Sequence, residues 1–227
     1  MRIDIHAHYF PEKYLDLLQH FGSEATDMAR HNGAGSSPEE MAARLELMDS
    51  AQVQMQVLSV SPQLPHFADE TQAIEAARTI NDLYADLVQR YPTRFAAFAA
   101  TPLPHIDAAL AEIERALDQL HMDGITVATS ILGRSLADSQ FEPFYAELDR
   151  RRAVLYIHPA GVSACSPLIA DYGLTWPIGA PIEDTISATQ LIFKGIPARY
   201  PRIKIINSHL GGALPMLLQR LDNQYRW

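Results

Sequence analysis

The stretch that decides how the sequence is interpreted is its first eight residues, Met1-Arg2-Ile3-Asp4-Ile5-His6-Ala7-His8. Two isoleucines alternate there with an aspartate and a histidine, a pattern typical of a β-strand. Pro11 follows closely and cannot take part in a central strand ladder, so we predict a short strand that ends in a loop. Imidazoles two residues apart on a strand lie on the same side, close enough to bind one cation. His6 and His8 are therefore candidate metal ligands.

The composition limits the class of protein. The chain has 227 residues, of which 48% are hydrophobic, and this is enough to bury a core as one domain over residues 1–227. The formal net charge is -9 and the charges are not in blocks, which disfavours nucleic acid as a partner. No apolar run approaches the roughly 20 residues of a membrane helix, and the N-terminus lacks a secretory pattern. We expect a cytoplasmic protein with no membrane partner.

Apolar, strand-like segments alternate with helical periodicity along the whole sequence. After the first strand, the predicted strands cover residues 53–60, 95–100, 124–128, 153–158 and 203–207. Six such strands separated by helices predict an α/β fold with a parallel sheet. Either a doubly wound open sheet or a TIM-type (β/α)8 barrel fits this alternation.

Two of the intervening segments carry specific signals. Ser36 or Ser37 is predicted to cap a helix that begins at Pro38. Residues 160–181 form a longer connection than usual, and we predict a functional loop there. Glu183 and Asp184 are predicted to open the helix that follows this loop.

Histidines lie at the ends of three predicted strands. His158 ends the fifth strand and His209 follows the sixth, as His6 and His8 end the first. The carboxyl ends of barrel strands converge on one mouth, whereas in an open sheet these strands share a crevice only for particular strand orders. The histidines therefore favour the barrel.

The same histidines indicate a metal site. Cys165 is the only cysteine, so a metal must be held by imidazoles and carboxylates. Zinc binds neutral imidazole, and a catalytic site keeps one position open. We predict one zinc, or a similar divalent ion, per chain on His6, His8 and His158.

Other polar residues have weaker signals. Arg44 is predicted to bind a substrate carboxylate bidentately, and a helix-surface charge is the alternative. The remaining histidines lie on predicted helices or loops without a partner in the sequence, and we interpret them as ordinary surface or turn residues. They are His20, His31, His66, His105 and His121.

Three motifs contain the histidines at the strand ends: the His-Ala-His of the first strand, the Tyr-Ile-His-Pro at residues 156–159 and the Asn-Ser-His-Leu-Gly-Gly at residues 207–212. Together they resemble the amidohydrolase superfamily, and within it the aminocarboxymuconate-semialdehyde decarboxylase-like branch. Residues 6–11, 136–148 and 208–222 are similar to that branch, so the resemblance covers most of the chain. It implies that His209 is the catalytic acid/base beside a metal-bound water.

The resemblance also implies which features are absent. Many members of the superfamily hold two metals through a carboxylated lysine at the end of the fourth strand, and residues 124–128 end without one. A mononuclear site is implied. The family also has an aspartate ligand at the end of the eighth strand, whereas this sequence ends after the sixth helix. We expect a barrel truncated after the sixth βα unit.

The implied activity is that of a mononuclear metal-dependent carboxy-lyase, a decarboxylase of a small unsaturated or aromatic carboxylic acid. A metal-dependent hydrolase of the same superfamily is the alternative, because the same residues serve both reactions. A third interpretation is a non-catalytic, truncated binding domain, favoured by the missing aspartate. We expect the protein to form a homodimer.

Overall fold

A computed structural model describes residues 1–23, 25–30 and 32–225 of the chain. These residues belong to two compact units, Met1–Thr126 and Val127–Trp227. The prediction of a single domain over residues 1–227 stays a prediction.

The first unit contains three βα repeats and the first residues of a fourth strand. Its elements in order are β1 (Ile3–His8), α1 (Glu12–His20), α2 (Pro38–Ser50), β2 (Met55–Ser59), α3 (Glu70–Arg90), β3 (Phe95–Ala100), α4 (Ile106–Glu114) and β4 (Gly124–Ala128). The last turn of α4 continues as a wider helical turn at Arg115–Gln119.

The second unit begins with a two-stranded ribbon and continues with two further βα repeats. Its elements are β5 (Ser130–Ile131), β6 (Arg134–Ser135), α5 (Glu142–Arg151), β7 (Val154–His158), α6 (Pro167–Ala170), α7 (Ala180–Phe193), α8 (Ile196–Arg199), β8 (Lys204–Asn207) and α9 (Leu214–Tyr225).

The main sheet of the described residues has the strand order β1-β2-β3-β4-β7-β8. The pairs β1–β2, β2–β3, β3–β4 and β7–β8 are parallel. In a TIM-type barrel, each strand is followed by a helix that returns the chain to the next parallel strand, and neighbouring strands follow one another in sequence. The predicted fold class is confirmed.

Small residues in α3 and β3 account for the close packing of helix on sheet in the first unit. Every residue of β3, Phe-Ala-Ala-Phe-Ala-Ala, is buried. The face of α3 that is buried carries Ala73, Ala76 and Ala77. Because alanine adds only a methyl group, the helix approaches the strand closely. Helix α3 also holds the segment that follows β1, because the Tyr84 hydroxyl donates a 2.8 Å hydrogen bond to the carbonyl oxygen of Tyr9.

The structure corrects three details of the sequence interpretation. Helix α7 begins at Ala180 rather than at Glu183. The segment from 160 to 181 is not wholly irregular, because it contains α6 and short helical turns at Ser163–Cys165 and Thr175–Gly179. The ribbon of β5 and β6 has no counterpart among the predicted elements.

Candidate metal centre and acid/base pair

The end of β1 presents its two histidines side by side. The ring centroids of His6 and His8 are 5.1 Å apart, with the rings perpendicular. The ring of Phe10 stacks on His8 at 5.7 Å and is nearly parallel to it. Both imidazoles are partly buried, and the Asp4 carboxylate accepts the backbone N–H of His6 at 3.0 Å. The first unit therefore contains the predicted pair of nitrogen ligands in one place.

Arg44 contacts this pair through the backbone. The side chain rises from α2 and the residue is only 9% exposed. Its Nη2 donates to the carbonyl oxygen of His8 at 2.6 Å, and its Nη1 donates to Gln56 Oε1 at 2.9 Å. Because the residue is buried and hydrogen-bonded, the interpretation of Arg44 as a helix-surface charge is wrong. The guanidinium fixes the backbone at the end of β1.

His158 ends β7 and is 3% exposed. Its Nδ1 lies 3.1 Å from the carbonyl oxygen of Pro159. A carbonyl oxygen can only accept, so Nδ1 carries the hydrogen and Nε2 is the nitrogen with a lone pair. A second hydrogen bond of this kind usually sets the tautomer and ring orientation of a metal-binding histidine. His158 is thus prepared to bind a cation through Nε2.

His209 pairs with a carboxylate that the sequence interpretation did not assign to the site. Its Nδ1 lies 2.7 Å from Asp184 Oδ2, and the Ser208 hydroxyl donates to Asp184 Oδ1 at 3.0 Å. Asp184 is fully buried on α7. Burial raises the pKa of Asp184, and the neighbouring His209 imidazole acts in the opposite direction. The hydrogen bond directs Nδ1–H of His209 to the carboxylate, which leaves Nε2 as the nitrogen for proton transfer.

The two histidines of the second unit are neighbours. The ring centroids of His158 and His209 are 5.4 Å apart. A candidate acid/base and a candidate metal ligand therefore lie within one side-chain length of each other. This arrangement suits proton transfer to a group bound beside His158.

A second acidic residue of α7 holds the backbone that follows His158. Glu183 is 4% exposed, and its Oε2 accepts the backbone N–H groups of Ala160 and Gly161 at 2.8 and 3.1 Å. The Thr129 hydroxyl donates to the same oxygen at 3.0 Å. Because three donors converge on one carboxylate oxygen, the turn after β7 is fixed to α7.

The remaining histidines stay outside these clusters where the structure describes them. His20 and His121 are exposed, and the Nε2 of His105 lies 3.0 Å from the Phe67 carbonyl oxygen. His66 is partly buried rather than a surface residue, and burial lowers the pKa of its imidazole to about 3. His31 lies outside the described residues.

No helix in the described part of the chain combines the length and the apolar character that a membrane crossing requires.

The repeated βα units and the histidines at the strand ends place the chain among proteins with TIM-type barrels. The chain belongs to the amidohydrolase family, whose model matches residues 3–226. The predicted resemblance is confirmed.

Two relatives of the chain are named as decarboxylases. The chain is 36% identical to decarboxylase yanB of Aspergillus niger, over 96% of this chain and 61% of that protein. It is 24% identical to the 2-amino-3-carboxymuconate-6-semialdehyde decarboxylase of Dictyostelium discoideum, over 99% of this chain and 67% of that one. The chain thus spans about three fifths to two thirds of the length of these curated relatives.

A solved structure of similar fold contains a metal. The dihydroxybenzoic acid decarboxylase of a Polaromonas species, solved with bound manganese and the inhibitor 2-nitroresorcinol, superposes with a TM-score of 0.80 at 27% identity. The match covers 100% of this chain and 70% of that one.

Proposed function

We propose that His6, His8 and His158 hold one divalent metal ion. Each of the three offers one imidazole nitrogen as a ligand atom. The donor set fits such an ion, since neutral imidazole is its commonest nitrogen ligand and the hydrogen bond to Pro159 fixes the tautomer of His158. The manganese of the Polaromonas enzyme supports a divalent metal in this fold. Zinc remains our specific proposal for this chain, with manganese as the alternative.

The proposed reaction is the decarboxylation of a small aromatic carboxylic acid. A bound divalent ion supplies positive charge that orients the substrate. His209, as imidazolium, gives the proton on Nε2 to the ring carbon that carries the carboxylate. The bond between that carbon and the carboxylate then breaks, its electron pair returns to the ring, and carbon dioxide leaves. Water reprotonates His209 for the next turnover.

The observation that carries this proposal is the hydrogen bond between His209 and Asp184. A buried carboxylate on Nδ1 stabilises the protonated imidazole and holds Nε2 in one direction, which a general acid requires. A binding domain without catalysis has no need of such a pair. The pair therefore favours an enzyme over the third interpretation of the sequence.

Arg44 is proposed as the residue that orients the substrate carboxylate. Its two terminal nitrogens already bond His8 and Gln56, whereas its Nε is buried and has no hydrogen-bond partner among the described residues. The substrate contact would use Nε alone, in place of the bidentate contact predicted from the sequence, while the terminal nitrogens keep the end of β1 in place. Replacement by lysine, which has no planar fork, tests this role.

Release of carbon dioxide from a panel of aromatic acids tests the proposed reaction, with manganese or zinc added to the protein. We expect release from at least one acid, and His209→Asn should lower kcat by roughly 10²-fold or more while metal binding is retained. Hydrolysis of amides or lactones without carbon dioxide release would instead identify a hydrolase. Absence of both reactions would support a binding domain.

We also propose a cytoplasmic homodimer. Analytical ultracentrifugation at micromolar concentration checks the oligomeric state, and a monomer would contradict it.

A further inference from the structure

Ser59 has a buried hydroxyl without a partner in the chain. It is the last residue of β2, is 1% exposed, and its Oγ has no hydrogen-bond partner among the described residues. A buried hydroxyl that lacks a hydrogen bond destabilises the folded protein, and most buried polar groups are therefore paired. The exception at Ser59 calls for a partner from outside the protein chain.

A second serine two residues further along shows the ordinary case. Ser61 is fully buried, and its Oγ lies 2.9 Å from the hydroxyl oxygen of Thr126. The two serines share residue type, burial and chain segment, and they differ in whether the hydroxyl is paired. A buried serine hydroxyl in this segment can thus be hydrogen-bonded, so burial alone does not explain why the Ser59 hydroxyl lacks a partner among the described residues.

That position is beside the proposed metal ligand. His8 and Ser59 are register partners on the parallel strands β1 and β2. Residues paired in this way direct their side chains to the same face of a sheet, and the strands are about 4.8 Å apart. The Ser59 hydroxyl is therefore on the same face of the sheet as the His8 imidazole, at the carboxyl ends of the strands where enzymes of this fold bind substrate.

We propose that Ser59 is a specificity-determining residue whose hydroxyl binds a hydroxyl substituent on the aromatic ring of the substrate. A neutral serine both donates and accepts one hydrogen bond, as a phenol does, whereas a carboxylate is better matched by a cation such as Arg44. The inference rests on the proposed function, because it assumes that the substrate is an aromatic acid bound beside His8.

The test compares two probes that differ only in the ring hydroxyl, 2-hydroxybenzoate and benzoate. Binding of each to the manganese-loaded protein is measured by calorimetry, and decarboxylation of each by carbon dioxide release. In Ser59→Ala, affinity for 2-hydroxybenzoate should fall about ten-fold, the equivalent of one hydrogen bond, and affinity for benzoate should change by less than about two-fold. The melting temperature of Ser59→Ala should stay level or rise, because an unpaired hydroxyl is removed.

Ser61→Ala is the matched control. It removes a paired hydroxyl and leaves Thr126 without its partner, so the melting temperature should fall while the affinity ratio of the two probes stays that of the wild type. Equal weakening of both probes by Ser59→Ala, or no change in either, would overturn the proposal, and so would a wild-type protein that binds neither probe. A protein that binds the probes with the expected ratio but releases no carbon dioxide would refute the decarboxylase and leave the role of Ser59 supported.

Discussion

At the scale of single residues, Asp184 matters most for the proposed chemistry after the histidines. Its Oδ2 lies 2.7 Å from His209 Nδ1, and its position in the fold is fixed by complete burial. We predict that Asp184→Asn lowers kcat by roughly 10²-fold or more with little change in KM, because the amide no longer selects the tautomer or stabilises the imidazolium. Steady-state kinetics with circular dichroism as a check on folding measures this.

Ser208→Ala is the control for that variant. The Ser208 hydroxyl bonds the other oxygen of Asp184 and also lies 3.1 Å from His209 Nδ1, so its loss leaves Asp184 Oδ2 as the partner of His209 at 2.7 Å. A kcat that falls as far in Ser208→Ala as in Asp184→Asn would show that the Asp184 carboxylate by itself does not account for the effect.

Part of the pH dependence of the free energy of unfolding is expected to come from His66. Burial lowers the pKa of His66 from 6.5 to about 3, so between these values the unfolded chain binds a proton that the folded chain excludes. The free energy of unfolding should therefore fall as the pH decreases through this window, by at most about 1.4 kcal/mol per pH unit from this residue. Above pH 6.5 the contribution is constant.

Urea unfolding of wild type and His66→Gln at several pH values tests that expectation. The wild type should lose more stability than the variant between pH 6 and about 4, since glutamine does not titrate. Parallel curves for the two proteins would show that folding does not shift the pKa of His66.

The candidate site histidines could be predicted from the sequence, whereas the role of Asp184 could not. The spacing of His6 and His8 on one strand and the position of His158 before Pro159 are local patterns, and these patterns are enough to identify the three as candidate ligands. Asp184 and His209 are 25 residues apart in sequence. Asp184 was interpreted as part of a helix opening, and because α7 begins at Ala180 it instead lies further along the helix and is fully buried.

At the scale of elements, α7 holds the turn after β7 through Glu183. We predict that Glu183→Gln lowers the free energy of unfolding by about 2 kcal/mol, because a neutral amide oxygen accepts the three hydrogen bonds that converge on Oε2 more weakly than a carboxylate oxygen does. The backbone amides of Ala160 and Gly161 should exchange with deuterium faster in the variant. Glu142→Gln, at the start of α5, is the control, because Glu142 bonds Arg199 and Tyr200, and it should leave exchange at these two amides unchanged.

Helix α2 begins with a serine N-cap. Ser37 Oγ accepts the backbone N–H of Glu40 at 3.1 Å, and a Glu40 carboxylate oxygen lies 3.0 Å from the same hydroxyl oxygen. Of the two serines considered from the sequence, Ser37 is thus the cap. We predict that Ser37→Ala lowers the free energy of unfolding by about 1 kcal/mol. Ser36→Ala should cost less, because Ser36 accepts a backbone N–H of α1 and does not cap α2. Equal costs in urea unfolding would contradict this assignment.

Strands were predicted more accurately than the segments between them. Phe95–Ala100 and Gly124–Ala128 have the predicted bounds, because continuous apolar runs bounded by turn residues mark buried parallel strands. The short turns between 160 and 181 depend on contacts distant in sequence, such as those of Glu183 with Ala160 and Gly161. Local periodicity does not contain that information.

For the whole molecule, the longer relatives indicate what additional βα units would add to the metal site. The chain spans 61% of the length of decarboxylase yanB. We predict that a version extended by about two βα units, with an aspartate at the end of the eighth strand, binds metal more tightly and turns over faster. The carboxylate would add a ligand and offset the positive charge beside His209. Equal metal affinity in both versions, measured by chelator competition, would show that the aspartate is dispensable.

The central claim is that His6, His8 and His158 together hold one divalent metal ion. Equilibrium dialysis against manganese or zinc, followed by elemental analysis, measures it directly in the wild type, His158→Ala and the control His105→Ala. We predict about one bound ion per chain in the wild type and in the control, as expected for a mononuclear site, and loss of that ion in His158→Ala. Undiminished metal binding by His158→Ala would contradict the account.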